Sequence, residues 1–352
     1  MIPEREKRGI FECLFVNPIR LGVLILLIGA VWIGVRVYVA YLSAPVSARP
    51  GPETFSTLTI EKGTSLREIG DLLARKKLIK SADFFVWYAR WRGKERQIEA
   101  GSYRISSAWP LREILDRIVG GKVISYRVTI PEGYTAAQIG HLLAVKGIAN
   151  EAAFQSVVSS GEFAYPFLKG IPSGPNRLEG YLFPATYEFQ AGLSEKEIID
   201  QMLKSFQKAF TPELQQRAAQ MGLSIRQVVI LASLVEREAK LDRERPLIAA
   251  VFLNRLKNGM RLESCATIQY VLGKQKEKLT YEDLKIPSPY NTYLNNGLPP
   301  GPIANPGLAS IKAVLYPAEV KYLYFVARGD GSHIFSLTLR EHETAARQYV
   351  GE

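Results

Sequence analysis

The chain has 352 residues, 47% hydrophobic and 22% charged, a balance that fits a globular protein with buried cores and excludes a disordered or fibrous one. Its net charge of +11 favours polyanions or anionic surfaces as partners. Its two cysteines, Cys13 and Cys265, exclude a disulfide framework, and no spacing of them with His141, His333 or His342 suggests a metal, so neither metal nor cofactor is expected.

Leu21 to Val35 carries no charge, and after Arg36 the apolar run resumes to Leu42. The 22 residues from 21 to 42 reach about 33 Å as a helix at ~1.5 Å per residue, enough to span a bilayer. Arg36 sits near the outer end, where its side chain can snorkel to the interface. Val46-Ser47-Ala48 has the look of a cleavage site, but the apolar run is longer than a signal-peptide core and reads as an uncleaved anchor. Arg5, Lys7, Arg8 and Arg20 hold the 1–20 tail in the cytoplasm and place everything after Leu42 outside it, at the inner (cytoplasmic) membrane. Cys13 and Cys265 then lie on opposite sides and cannot pair. The basic stretches RKKLIK (75–80) and RWRGKER (90–96), with Trp87, Tyr88 and Trp91, would otherwise suggest nucleic acid. Beyond a membrane, envelope polymers and lipid headgroups are the expected partners, and nucleic acid is not.

Residues 43–57 are rich in Pro, Ser, Ala and Gly and read as a linker. An internal repeat follows. TIEKGTSLREIGDLLARKKLIKSADFF (59–85) and TIPEGYTAAQIGHLLAVKGIANEAAFQ (129–155) align at an offset of 70, matching Thr-Ile, Gly63/Gly133, Ile-Gly, Leu-Leu-Ala, Lys76, Ala82 and Phe84. Each copy predicts a short strand, a glycine turn, and a helix capped by Thr64-Ser65 or Thr135. This β-turn-α beginning resembles the LysM-like fold, which often binds N-acetylglucosamine polymers. The division expected is a LysM-like module over 58–125 and a larger domain over 126–350 that starts with the second copy, in an α+β chain whose larger domain is mainly helical.

From about residue 195 the pattern is helical. Ser224-Ile225-Arg226-Gln227 is a capping box opening a helix through LASLVERE (231–238). Pro246 suits the first turn of the next helix and Asn258-Gly259 its end. YLYFVA (322–327), RGDGS and HIFSLT (333–338) predict a β-hairpin, and Leu339 to Tyr349 a last helix. Residues 287–307, rich in Pro, Asn and Gly, form a long aperiodic loop, and such a loop inside a domain points to function.

Glu236 and Glu238 end an apolar run, but two residues apart on a helix they point about 200° away from each other and cannot form one carboxylate pair. Projected on a wheel, Glu236 falls among Ile225, Val229 and Ala232, and Glu238 near Gln227 and Leu231. An apolar wall around either carboxyl would keep it protonated near neutral pH, whereas a surface helix turn would leave Glu236 pairing with Lys240. Periodicity does not choose between the two glutamates.

Five blocks in order, LEGYLFPATY (178–187), LASLVERE, AAVFLNRLKNGMRLES (249–264), SPYNTYLNNGLPPGPIANPG (288–307) and YLYFVARGDGSHIFS (322–336), resemble the YceG-like (MltG) family of endolytic murein transglycosylases over about residues 20–345. The resemblance implies that Glu236, first glutamate of the Val-Glu-x-Glu block, is the catalytic acid, and its apolar neighbours are then expected to hold it protonated near neutral pH. Many relatives have Ser-Asp before Pro/Ala-Thr where this chain has Ser264-Cys265-Ala266-Thr267, so that aspartate is not the essential acid. The implied reaction cleaves the β-1,4 bond between N-acetylmuramic acid and N-acetylglucosamine and leaves a 1,6-anhydro end. Because the sugar's own 6-hydroxyl is then the nucleophile, one carboxyl serves as acid and then base, where hydrolytic glycosidases need two. Tyr181, Asn254, Ser264, Gln269, Tyr290, Asn291 and Thr292 are candidate sugar contacts, and Glu179 and Glu238 candidate orienting residues. The family also implies association with glycan-polymerising synthases, with cleavage ending strand growth. Two other readings stand beside this one: a non-enzymatic glycan-binding scaffold, and a muramidase whose second carboxylate would be Glu188 or Asp242.

Overall fold

The computed structural model describes residues 18–49, 51–121, 124–276 and 279–349, the side chains from residue 21 onward. Residues 1–17, which hold Arg5, Lys7, Arg8 and Cys13 and most of the expected cytoplasmic tail, lie outside the described residues. The chain divides into two compact units, one of the residues up to 124 with 190–192, the other of 125–189 with everything from 193 on.

The first unit begins with helix α1 (Pro18–Ser43). Its segment Leu21–Ser43 has mean hydropathy 2.3 and none of its most apolar window is buried by protein, and among the described residues it is the one single helix long and apolar enough to cross a membrane. The Arg36 guanidinium lies 4.8 Å from the centre of the Trp32 ring, and Lys80 donates to the Tyr41 carbonyl at 2.8 Å. After the linker come strand β1 (Phe55–Ile60), helices α2 (Leu66–Arg75) and α3 (Ala82–Trp91), strand β2 (Gly101–Ser106) and helix α4 (Leu111–Val119). β1 and β2 pair antiparallel from Phe55↔Ser106 to Ile60↔Gly101. Alternation turns Leu58 and Ile60 of one strand, and Tyr103 and Ile105 of the other, onto a core shared with Leu73, Phe85, Ile114 and Leu115. Each such fully buried side chain contributes roughly 1.5–3 kcal/mol.

The second unit opens with the same order of elements: strand β3 (Ser125–Thr129), helices α5 (Ala136–Val145) and α6 (Glu151–Ser160), and strand β4 (Thr186–Gln190), which pairs with β3. The repeat seen in the sequence is therefore a repeat of shape. Ser65 and Thr135 cap α2 and α5 through capping boxes with Glu68 and Gln138. Gly63 and Gly133, at φ +86 and +75, make the turns that only glycine adopts without strain. The Ile-Gly pairs let successive helices approach: a Cβ on Gly70 would lie 3.1 Å from the Ala82 carbonyl oxygen, and one on Gly140 2.9 Å from the Phe154 ring.

Helices then dominate: α7 (Glu195–Ala209), α8 (Pro212–Gln220), α9 (Ile225–Glu238), α10 (Arg245–Lys257), α11 (Cys265–Leu272) and α12 (Leu308–Leu315), followed by the hairpin β5 (Tyr324–Ala327) and β6 (His333–Ser336) and helix α13 (Leu339–Tyr349). The expected capping box is present, the Ser224 hydroxyl accepting from Gln227 N–H. Eight consecutive residues of α9, Val228 to Val235, are buried, and α10, α11 and α12 pack around it. A helix apolar all round is a core helix, so whatever its last turn carries is fixed by the centre of the unit.

Candidate functional site

The last turn of α9 delivers its two glutamates to different places. Glu236, with a side chain 6% exposed, accepts from Arg245 Nη1 on Oε1 at 3.1 Å and from the Gly307 backbone N–H on Oε2 at 3.0 Å. Arg245 opens α10, donates through Nε to Asp242 at 3.0 Å, and also bonds the Ser310 hydroxyl. The expected apolar wall is thus corrected: the oxygens of Glu236 meet a guanidinium and an amide, in charge-assisted bonds. The wheel could not find them, because it shows only a helix's own residues and these donors come from α10 and the end of the long loop. The surface alternative fails too, since the partner is Arg245 and not Lys240.

Glu238 caps another helix. Its Oε1 accepts from the Ser264 hydroxyl and from Ala266 N–H at 3.3 Å, at the start of α11, where a carboxylate complements the helix dipole. Glu179 is wholly buried, and its carboxyl takes the Ala136 N–H at the start of α5 at 3.0 and 3.2 Å and Asn305 Nδ2 at 2.9 Å. Burial pushes its carboxyl up to about 8, against the pull of those donors and of the Tyr270 hydroxyl. Asn305, itself buried, donates to the Tyr134 carbonyl at 2.9 Å and accepts from Leu182 N–H at 2.9 Å. Glu179 and Asn305 thereby tie the second glycine turn, the LEGYLF segment and the end of the long loop into one piece, with Gly307 two residues on.

Beside this piece lies a cleft of about 480 Å³ whose walls include Gln138, Glu179, Arg237, Gln269, Tyr270 and Tyr290. Arg237, next to Glu236, faces it and donates to the Gly133 carbonyl at 3.3 Å. Of the candidate sugar contacts, Gln269 and Tyr290 line this cleft, Gln269 also donating to the Lys276 carbonyl at 3.2 Å. The others do not line it. Tyr181 is fully buried, its ring 5.7 Å from Phe167 and 5.2 Å from Phe206. Asn254 donates to the carbonyls of Val320 and Tyr322 at 2.9 and 3.0 Å. Asn291 is buried and donates to the carbonyls of Leu284 and Ile286 at 2.9 and 2.8 Å. Thr292 bonds Ser264 N–H and the Thr267 hydroxyl, each at 3.0 Å. Asn254, Asn291 and Thr292 hold loops in shape, and Ser264 spends its hydroxyl on Glu238.

The second glycine turn also brings Glu132, which the sequence reading did not single out. A Cβ on Gly307 would lie 1.9 Å from Glu132 Oε1, so that carboxyl rests on the residue whose N–H holds Glu236. Glu132 remains exposed overall, yet burial and then the charge of Glu236 push its carboxyl above the ordinary value, with Arg245 opposing. A signal was available: at this position the first copy of the repeat has Lys62. Of the two guesses at a second carboxylate, Asp242 bonds Arg245, and Glu188 accepts from the Ser125 hydroxyl at 2.7 Å.

Three comparisons place the chain. The YceG-like family profile matches residues 58–348. The endolytic murein transglycosylase of Bacillus subtilis is 34% identical over 313 residues, 85% of this chain and 86% of that protein. A protein of the same name from Streptococcus pneumoniae is 30% identical over 341 residues, 89% of this chain but 61% of its own length. A crystal structure of a YceG-like protein from Listeria monocytogenes superposes with a TM-score of 0.57 at 36% identity, covering 83% of this chain and 99% of that one. A match spanning both copies of the repeat, α9 and the hairpin establishes that this chain belongs to the YceG-like family.

Proposed function

We propose that the chain is an endolytic murein transglycosylase that cuts peptidoglycan glycan strands with Glu236 as its acid and base. Family membership over residues 58–348 and the shared name of the Bacillus and Streptococcus relatives support the activity. The observation that carries the residue is the placement of Glu236: of the two glutamates ending α9, it alone is held by a guanidinium and an amide beside a second carboxyl, while Glu238 is spent capping α11.

In the proposed reaction, Glu236 in its protonated form gives the proton to the bridging oxygen as the bond to C1 of N-acetylmuramic acid breaks. The sugar's 6-hydroxyl oxygen closes on C1, and its proton returns to the Glu236 carboxylate. The product strand ends in 1,6-anhydro-muramic acid and no water is consumed. Arg245 and the Gly307 N–H stabilise the carboxylate that exists between the two transfers. The cleft lined by Gln269 and Tyr290 supplies an aromatic face and amide groups suited to a sugar. A muramidase would need a second carboxylate, and Glu132 beside Gly307 gives that reading a concrete candidate. Mass analysis of digested strands decides: each anhydro product is lighter by one water than the hydrolytic one, and reducing ends would overturn the transglycosylase reading.

We further propose that α1 anchors the protein in the cytoplasmic membrane with both units outside the cytoplasm, that the first unit is a LysM-like glycan-binding module, and that cleavage ends the growth of strands made by neighbouring synthases. A reporter that is active only outside the cytoplasm, fused to the C-terminus, should be active. Activity of a cytoplasm-specific reporter would overturn the topology.

A further inference from the structure

Three carboxyl groups gather around the Arg245 guanidinium. Two bond it directly, Glu236 at 3.1 Å and Asp242 at 3.0 Å. The third, Glu132, comes from the second glycine turn and lies against Gly307, close enough that a methyl group there would overlap its Oε1. The side chain of Asp242 is 87% exposed, so water screens it. Glu236, in contrast, is enclosed, and backbone that adjoins Glu132 lies against it: Gly307 N–H bonds Glu236, and Gly133, next to Glu132, packs so that its own Cβ would lie 3.6 Å from Glu236 Cγ. Arg237, the other cation at this turn, bonds the Gly133 carbonyl. One guanidinium therefore stands against the charges of both Glu236 and Glu132, and a like-charged pair sharing a site does not ionise fully in a single step.

We propose that Glu132 is a positioning residue for the reaction of Glu236: the two carboxyls hold one proton between them, so that a proton is present for the glycosidic oxygen at neutral pH although Arg245 binds the acid. The inference rests on Glu236 being the acid. Burial and the charge of Glu236 both push the Glu132 carboxyl upward, in the sense required. At residue 307, where φ −73 suits any residue, a side chain larger than glycine's would have to displace the Glu132 carboxyl. No bond other than O–H is made or broken in this sharing, and the proton returned from the 6-hydroxyl restores the pair.

The test is the pH profile of strand cleavage by the full-length enzyme in detergent or vesicles, compared for wild type, E132Q, E132D and E236Q. E132Q removes the like charge and keeps the shape. The alkaline limb of kcat/KM should move to lower pH by about one unit, as expected for carboxyls that share a site, with roughly tenfold lower activity at neutral pH and unchanged thermal unfolding. E132D should restore the limb in part. Gly307→Ala, which displaces the carboxyl, should cost activity in wild type and much less in an E132A background, a coupling that independent residues would not show. Superimposable profiles for wild type and E132Q, with E236Q inactive, would overturn the role of Glu132 and leave Glu236 standing. Activity in E236Q would remove the acid itself. Reducing ends made by wild type and lost in E132Q would instead make Glu132 the base of a hydrolase and overturn the sharing.

Discussion

The two copies of the repeat have one architecture and two surroundings. In both, a strand leads through a glycine at positive φ into a helix with a capping box, and an Ile-Gly step admits the next helix. Around the first turn a Cβ on Gly63 would meet nothing within 4 Å. At the second, a Cβ on Gly133 would touch Glu236 and Arg237, its N–H bonds the Asn305 carbonyl at 2.9 Å, and Glu179 caps the helix that follows. The same supersecondary unit is thus a corner with room beside its glycine in one copy and a wall of the candidate site in the other. What differs is the set of residues that reach the turn from elsewhere.

The largest effect belongs to Glu236. Glu236→Gln keeps size and one of the two accepted hydrogen bonds but cannot transfer a proton, so strand cleavage should fall by about 10²–10⁴-fold, the usual weight of a general acid. Glu238→Gln can still accept from Ser264 and Ala266, and should lose less than tenfold with a stability cost of about 1 kcal/mol. Equal losses in the two variants, measured as anhydro ends released per minute, would break the assignment of one glutamate to chemistry and the other to capping.

The contrast between the copies also marks how far the sequence could be followed. The first strand, the cap and the glycine turn of each copy were legible because they depend on neighbours in the chain, and α9 with its Ser224 cap, the hairpin and the helix over Leu339–Tyr349 were legible for the same reason. The partners of a buried polar group are not local. Arg245 and Gly307 reach Glu236 from nine and seventy-one residues away, and nothing in the periodicity of α9 announces them. Asn291 and Thr292 have the chemistry of sugar ligands, yet an Asn or Thr in a long loop is equally suited to bonding carbonyls and amides of the backbone packed against that loop, and here it does so. Glu132 was visible only as a break in the repeat.

A second effect, on stability, comes from Glu179. Its carboxyl is raised from the ordinary 4.5 to about 8 by burial. In that window the folded state holds a proton that the unfolded chain has released, so stability falls as pH rises from about 4.5 to about 8. The loss is on the order of a few kcal/mol, shared with every other group that titrates there. Glu179→Gln, a neutral replacement whose carbonyl can still accept from Ala136 and Asn305, should flatten this slope in urea unfolding followed across pH. A slope identical to wild type would mean that Glu179 is ionised in the folded protein and that the second turn is fixed by a charge.

Alanine at the two Ile-Gly positions should cost about 1–3 kcal/mol each, the range for overpacking. The copies should differ in how they yield. At Gly140 the nearest atoms are side chains, Phe154 and Gln155 at 2.9 Å, which can turn aside. At Gly70 the nearest is the Ala82 carbonyl at 3.1 Å, and backbone must move. Thermal unfolding of the two variants should show two-state loss in each, with cleavage more affected by Gly140→Ala, because α5 starts at the piece that carries Glu132. A larger loss of cleavage for Gly70→Ala would reverse the division of labour between the copies.

The smallest expected effect is the sharpest check on that division. Lys62 stands where the second copy has Glu132, at a turn that Gly63 leaves open. Lys62→Glu gives the first turn the charge of the second without giving it Glu236, Arg245 or Gly307. A surface change of this kind alters stability by within about 0.5 kcal/mol, and cleavage should stay within about twofold of wild type, since Glu236 is held by Arg245 and Gly307. The measurement is strand cleavage and thermal unfolding of Lys62→Glu beside E132Q in the same buffer. If the change at Lys62 cost as much cleavage as E132Q, the carboxyl at this position would matter through the turn itself and not through what the rest of the fold brings to it.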